Sequence, residues 1–226
     1  MAAKDEASLL IVETASPVVK KWQRLYDVIL QETMSLVHER ALYLNMIEII
    51  RTNPKLPRRS IVYSWIAKAH AQSASSSVRR LRDETKGTIS LWRLLNDIAW
   101  NPTEITRSWY VSQHASGVMQ FRANRIFDAF AGRGGAHLRS AVIRGHQNFL
   151  ESRVERIKDF VDEHVAHHAL TLTRPPTFAA LDVGITGIQK LVARYGLLLR
   201  QAPQMGKMQP AIQEDWRNVF RIPWIR

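Results

Sequence analysis

The sequence predicts an all-α protein, an elongated helical bundle of about four principal helices with short helices between them. Three observations predict it. Apolar residues recur at helical spacing over long stretches, as in Trp22, Ile29, Leu36, Tyr43 and Ile50, one every seven positions. Alternating apolar–polar runs of the kind that make strands are scarce. Helix-stopping pairs divide the chain into segments: Asn53-Pro54, Gly87, Asn101-Pro102 and Arg174-Pro175-Pro176.

The first helix is expected from Pro17 to Thr52, because proline suits a first helical turn and Leu25, Tyr26, Leu30, Val37, Leu44 and Ile47 widen its apolar stripe. A second is expected from the Ser60 cap to about Lys86, ended by Gly87. Its run Ala71–Ser77 has almost no bulk, so either another helix backbone approaches closely there or the run lines a binding groove. A short helix capped by Ser90 carries Leu91, Leu94, Leu95 and Ile98. Two shorter pieces follow, Glu104–His114 and Gln120–Phe130, separated at Ser116-Gly117. The segment Gly132-Arg133-Gly134-Gly135 lacks the Gly-Lys-Ser/Thr ending of a phosphate loop and follows no strand, so it reads as a flexible interhelical loop. A long helix is expected from Ala136 to Leu170, and another from the Thr177 cap to about Gln201. The tail carries one short amphipathic helix with Ile212, Trp216, Val219 and Phe220. The expected organisation is a flexible N-terminus at 1–16, the bundle at 17–202 and a C-terminal tail at 203–226.

Composition bounds the function. Cysteine is absent, which excludes disulfides and thiol chemistry in this chain and suits a reducing cytoplasm. No apolar run approaches a membrane span, and no membrane partner is expected. The net charge is +12, carried by 23 Arg and 9 Lys. Arginine's planar fork suits phosphate, so a polyanion such as RNA or a nucleotide is the expected partner. No helix-turn-helix pattern points to a DNA reader.

Titratable side chains concentrate at Asp162-Glu163-His164-Val165-Ala166-His167-His168. At 100° per residue, His164 and His168 project into or beside the buried stripe of Leu150, Val154, Ile157, Val161 and Val165. Arg156, Glu163 and His167 lie on its flank, with Glu163 one turn from His167 and able to orient its imidazole. The cluster lacks the glutamate directly after the first histidine that marks zinc proteases, and no metal or other cofactor is expected.

Two segments together resemble the HEPN superfamily, in its abortive-infection branch of the Abi-U type. The first is Arg79-Arg80-Leu81-Arg82-Asp83 followed by Thr88-Ile89-Ser90-Leu91-Trp92-Arg93-Leu94-Leu95. It is similar to that branch's Arg-Leu-x-Asp helix end, variable linker and Ser-Leu-x-x-Leu-Leu helix. The second is His164-Val165-Ala166-His167, similar to the Ala-His that closes the HEPN signature. The resemblance covers roughly residues 18 to 224.

It implies a helical bundle that dimerises, and in active members a metal-independent endoribonuclease used as a toxin or in phage defence, sometimes with an antitoxin partner. It implies that His167 is the general acid or base, that His164 assists it, and that Arg80 or Lys158 clamps phosphate. Arg79, Asp83, Arg156 and Glu163 would complete the binding surface. The family's motif Arg precedes its His by four to six intervening residues. Before His167 those positions hold Phe160, Val161 and Asp162, and before His164 they include Lys158. Arg139 and His146 obey the spacing, although with 23 Arg and eight His about two such pairs arise by chance. The alternative reading is a catalytically inactive interaction or scaffold protein. Arg80 and Asp83, three apart, are expected to share a helix face, either as an ion pair tying that helix to its neighbours or as groups facing the histidines.

Overall fold

The computed structural model describes residues 14–57, 59–114, 117–161, 177–203, 208 and 216–221, with the backbone alone at 158–160 and 219–221. Among the described residues the fold is all-α: α1 (Pro17–Thr52), α2 (Ile61–Arg82), α3 (Leu91–Trp100), α4 (Arg107–Ser112), α5 (Gly117–Ala131), α6 (Ser140–Phe160) and α7 (Phe178–Arg200). Short 3-10 turns occupy Pro102–Glu104 and Trp216–Arg221. The four long helices α1, α2, α6 and α7 are the principal ones. The N-terminal segment 1–13 and the cluster Glu163, His164, His167 and His168 lie outside the described residues.

The capping chemistry explains most boundaries. Ser16, Ser60, Ser90, Thr106 and Thr177 each accept a hydrogen bond from a first-turn amide through the side-chain oxygen. α2 ends at Arg82, before the expected Lys86. The Asp83 carboxylate accepts from the amide and hydroxyl of Thr85, and the Ser90 hydroxyl donates to the Asp83 carbonyl. These side-chain bonds give the backbone a turn in place of another helical residue. α6 starts at Ser140, after the expected Ala136, because the amide of Arg139 bonds the carbonyl of Phe130 and Thr106 pairs with His137. α7 stops at Gln201, which adopts φ +48°.

The core is one continuous apolar cluster. It draws Trp22, Tyr26, Ile29 and Leu36 from α1, Val78 and Leu81 from α2, Leu91, Leu94, Leu95 and Ile98 from α3, Phe127 and Phe130 from α5, Leu150 and Val154 from α6, and eight residues of α7. The small-residue run of α2 is helix packing: Ala74, Ser75, Ser77 and Val78 are buried where α2 meets α1, α6 and α7. Buried hydrogen bonds pin the layers. Tyr26 donates to the Val192 carbonyl at 2.9 Å and Tyr110 to the Leu197 carbonyl at 2.8 Å.

The glycine segment 132–135 is a turn fastened by one side chain. Arg107 donates to the carbonyls of Gly132 and Gly135, to Asn124 and to the Asp128 carboxylate at 2.7 Å. Its cationic fork supplies the charge that a phosphate loop would use on a ligand, and here it holds the loop itself.

Candidate functional site

The described residues place the most chemically distinctive cluster in a groove between α6 and α7. His146 comes from the second turn of α6, and Arg194 and Tyr195 come from α7. Arg194 Nη1 lies 2.7 Å from His146 Nε2, and the Tyr195 hydroxyl lies 3.0 Å from His146 Nδ1. A guanidinium can only donate, so Nε2 accepts and Nδ1 carries the ring proton and donates to the tyrosine oxygen. Phe130 closes the pair edge-on, with ring centroids 5.9 Å from His146 and 5.5 Å from Tyr195.

Electrostatics keep the imidazole neutral. Burial first, and the adjacent Arg194 charge second, pull the His146 pKa from its ordinary value down to about 4. Burial raises the Tyr195 hydroxyl well above its usual range, with Arg194 opposing. At neutral pH this is an uncharged His–Tyr pair beside a fixed cation.

The groove runs away from this pair. A cleft of about 450 Å³ is lined by His146, Phe149, Lys190 and Arg194, among others. A second, of about 250 Å³, shares Phe149 and Lys190 and adds Arg153, Thr186 and Asp182. The Arg153 guanidinium stacks over the Phe149 ring at 5.2 Å. Arg156 lies one turn further along the same stripe of α6 and is exposed. Among the described residues no carboxylate pairs with Arg153, Arg156, Lys190 or Arg194. Asp182, the acidic group in the groove, already accepts from Arg40 Nε at 2.6 Å. Three cations lining the groove beside a neutral, half-buried histidine, with Arg156 one turn beyond them, offer charge and hydrogen bonding to a ligand carrying more than one phosphate.

The residues singled out in sequence distribute differently. Arg80 pairs with Glu32 of α1, at 2.5 Å, and with Ser77, and it does not pair with Asp83. Three residues apart, Arg80 and Asp83 straddle the end of α2, so the guanidinium turns to the neighbouring helix. Arg79 is the residue near Asp83, at 3.9 Å. Arg82 of α2 reaches the long helix, bonded to Glu151 of α6 at 2.7 Å. Lys158 is in the last turn of α6. His167, His164 and Glu163 lie outside the described residues.

Arg139 does not meet its spaced partner either. Its guanidinium rests against Gly132, and Arg194 occupies the contact with His146. Arg107 and His114 share the same spacing, yet Arg107 is committed to the glycine turn and His114 Nδ1 to the Tyr110 carbonyl. Sequence reasoning missed Arg153, Lys190, Arg194 and Tyr195. Their only sequence signal is that Lys190 and Arg194 are one helical turn apart, which many surface pairs are.

No protein-family model, no curated protein and no solved structure matches this chain.

The neutral imidazole has a measurable consequence. His146 has a lower pKa folded than unfolded, so the unfolded chain binds more protons between about pH 6.5 and 4. Its contribution to stability is therefore complete above about pH 6.5 and is lost as pH falls toward 4. Discounted for the half-open ring, the loss is roughly 1–2 kcal/mol. Urea denaturation across this range should show a shallower acid limb for His146→Asn than for the wild-type chain.

Proposed function

We propose that this chain is a HEPN-like RNA- or nucleotide-binding helical protein of the abortive-infection type, engaging its ligand along the α6–α7 groove. The observation that carries this reading is the set of cations lining the groove, Arg194, Lys190 and Arg153, with the exposed Arg156 one turn beyond Arg153 on α6. Those cations lack acidic partners among the described residues, in a chain of net charge +12. A homodimer, an antitoxin partner and a cytoplasmic location belong to the same proposal, through the resemblance. Metal-independent endoribonuclease chemistry enters with His167 as acid or base and His164 assisting. His146 is a poor substitute, because its pKa of about 4 leaves little imidazolium to donate a proton at neutral pH and Arg194 occupies its Nε2.

One observation favours the alternative, a catalytically inactive interaction protein. Arg80, proposed as the phosphate clamp, is engaged with Glu32 on the α1 side of α2.

RNA binding as a function of salt tests the main reading. Each phosphate contact on a single strand contributes about 0.7 to the slope of log K against log salt. The triple variant Arg153→Ala, Lys190→Ala, Arg194→Ala should lower that slope by about 2 and weaken binding at least tenfold at low salt. Unchanged slope and affinity would place the ligand elsewhere. Incubation with mixed RNA separates the active from the inactive reading: cleavage that His167→Ala abolishes supports the ribonuclease, and binding without cleavage supports the inactive form.

A further inference from the structure

The apolar stripe of α1 outlasts the core. Its last buried residue is Val37, although Tyr43, Ile47 and Ile50 continue the spacing. α2 mirrors this, with its first buried residue at Ala74. The two helices therefore leave the core as a hairpin arm. Stacked rings of Tyr43, His70 and Phe178 brace its base, with Tyr43 and His70 centroids 4.1 Å apart. Nine further residues of α1 carry the arm about 13 Å beyond that stack, at about 1.5 Å per residue.

The outer part of the arm is apolar and cationic. Ile61 is 86% exposed, Trp65 68% and Val62 53%. Ile61, Trp65 and Lys68 fall on one stripe of α2, at positions i, i+4 and i+7. Arg59 immediately precedes the Ser60 cap and Lys55 lies in the connecting turn. Neither these two nor Lys68 has a carboxylate partner among the described residues. The acidic group of this outer part, Glu48, is already held by Arg51 at 2.9 Å.

We propose that the tip of the α1–α2 arm docks on an anionic lipid surface, with Ile61, Val62 and Trp65 entering the headgroup–acyl boundary and Lys55, Arg59 and Lys68 meeting lipid phosphates. The expectation of no membrane partner rests on the lack of a span, and a surface contact needs none: among the described residues no helix is long and apolar enough to cross a membrane. Complementarity selects the occupant. Aliphatic side chains beside an indole, ringed by cations, match an interface that is hydrocarbon below and anionic above. RNA matches the cations and Trp65, but Ile61 and Val62 have no flat face for a base to stack on. A second copy matches the apolar residues, but a twofold pairing along this stripe brings the cations of one copy toward those of the other. The residues of the arm's tip line neither cleft of the α6–α7 groove, so the proposal stands without the RNA reading.

The test is co-sedimentation of the full chain with vesicles of phosphatidylcholine alone, or with added phosphatidylglycerol. Pelleting is expected with the anionic vesicles only, and weakened by salt. A chain of charge +12 adsorbs to anionic surfaces by charge alone, so the deciding arm is Ile61→Ser with Trp65→Ser, which leaves the charge unchanged. That double variant should reduce binding at least tenfold with unaltered helicity. Quenching of tryptophan fluorescence by brominated acyl chains should fall in Trp65→Phe. No pelleting with anionic vesicles, or undiminished pelleting of the serine variant, overturns the proposal. So does a serine variant that instead converts a dimer to a monomer, or weakens RNA binding, without affecting vesicles.

Discussion

Trp22→Ala is expected to cost about 3–5 kcal/mol of folding stability, the largest single effect in the molecule. The indole is fully buried, between α1 and the α3 and α7 layers of the core. Truncation leaves a cavity that rigid helices on several sides cannot close, so lost transfer energy and lost packing add. There is a polar cost too. Trp22 Nε1 donates to Asp97 Oδ2 at 2.9 Å, and Lys21 Nζ bonds the same oxygen at 2.9 Å. Removing the indole leaves that oxygen with one of its two donors. Against a total of about 5–15 kcal/mol for a typical domain, the loss should lower the melting temperature by on the order of 10 °C. Trp22→Phe, which keeps most of the volume and loses the donor, should cost markedly less. Equal costs for the two variants, measured by urea midpoint, would show that the bond to Asp97 and not the packing dominates.

The second large effect belongs to the α6–α7 seam. Gly184 lets these helices approach so closely that an added Cβ would sit 2.7 Å from Ile157 Cδ1 and 3.3 Å from the Arg153 carbonyl oxygen. The methyl can rotate away; the carbonyl belongs to the backbone of α6 and cannot. Gly184→Ala should therefore be near neutral, because the contact with Ile157 is offset by the roughly 1 kcal/mol that alanine contributes over glycine within a helix. Gly184→Leu must separate the helices and should cost at least about 2 kcal/mol net. The separation should also pull Arg194 and Tyr195 away from His146, and with them the groove in which we propose that RNA binds. A leucine variant with wild-type stability would mean that the seam yields at no cost.

Local chemistry made much of the fold legible. Pro17 and the stop at Asn53-Pro54 bracket α1, and Ser90 and Thr177 cap the helices they were expected to cap, because a cap involves a few neighbouring residues. The boundaries that moved did so through bonds to distant or looping partners. Thr85 and Ser90 end α2 early, and Phe130 and Thr106 delay α6. The heptad stripe of α1 correctly marked Trp22, Ile29 and Leu36 as core, and it gave no sign that Tyr43 and Ile50 continue beyond the core's edge. Periodicity reports which face is apolar, not whether anything covers it.

The site was less legible. His146 was marked only by an Arg spacing that chance also supplies, and its contacts are made by residues 48 and 49 positions away. Arg80 and Asp83 looked like a pair by offset, yet Arg80 found Glu32, 48 residues earlier in the chain.

What the sequence by itself determined is the all-α class, the presence of four long helices, the caps at Ser60, Ser90 and Thr177, and the excess of arginine. All of these follow from residue type and from neighbours within a turn or two. Only the tertiary structure decided which cations lack a carboxylate, which histidine lies against an arginine and a tyrosine, and where the apolar stripe leaves the core. Those properties depend on which helix faces which, and that is set by packing the whole cluster at once.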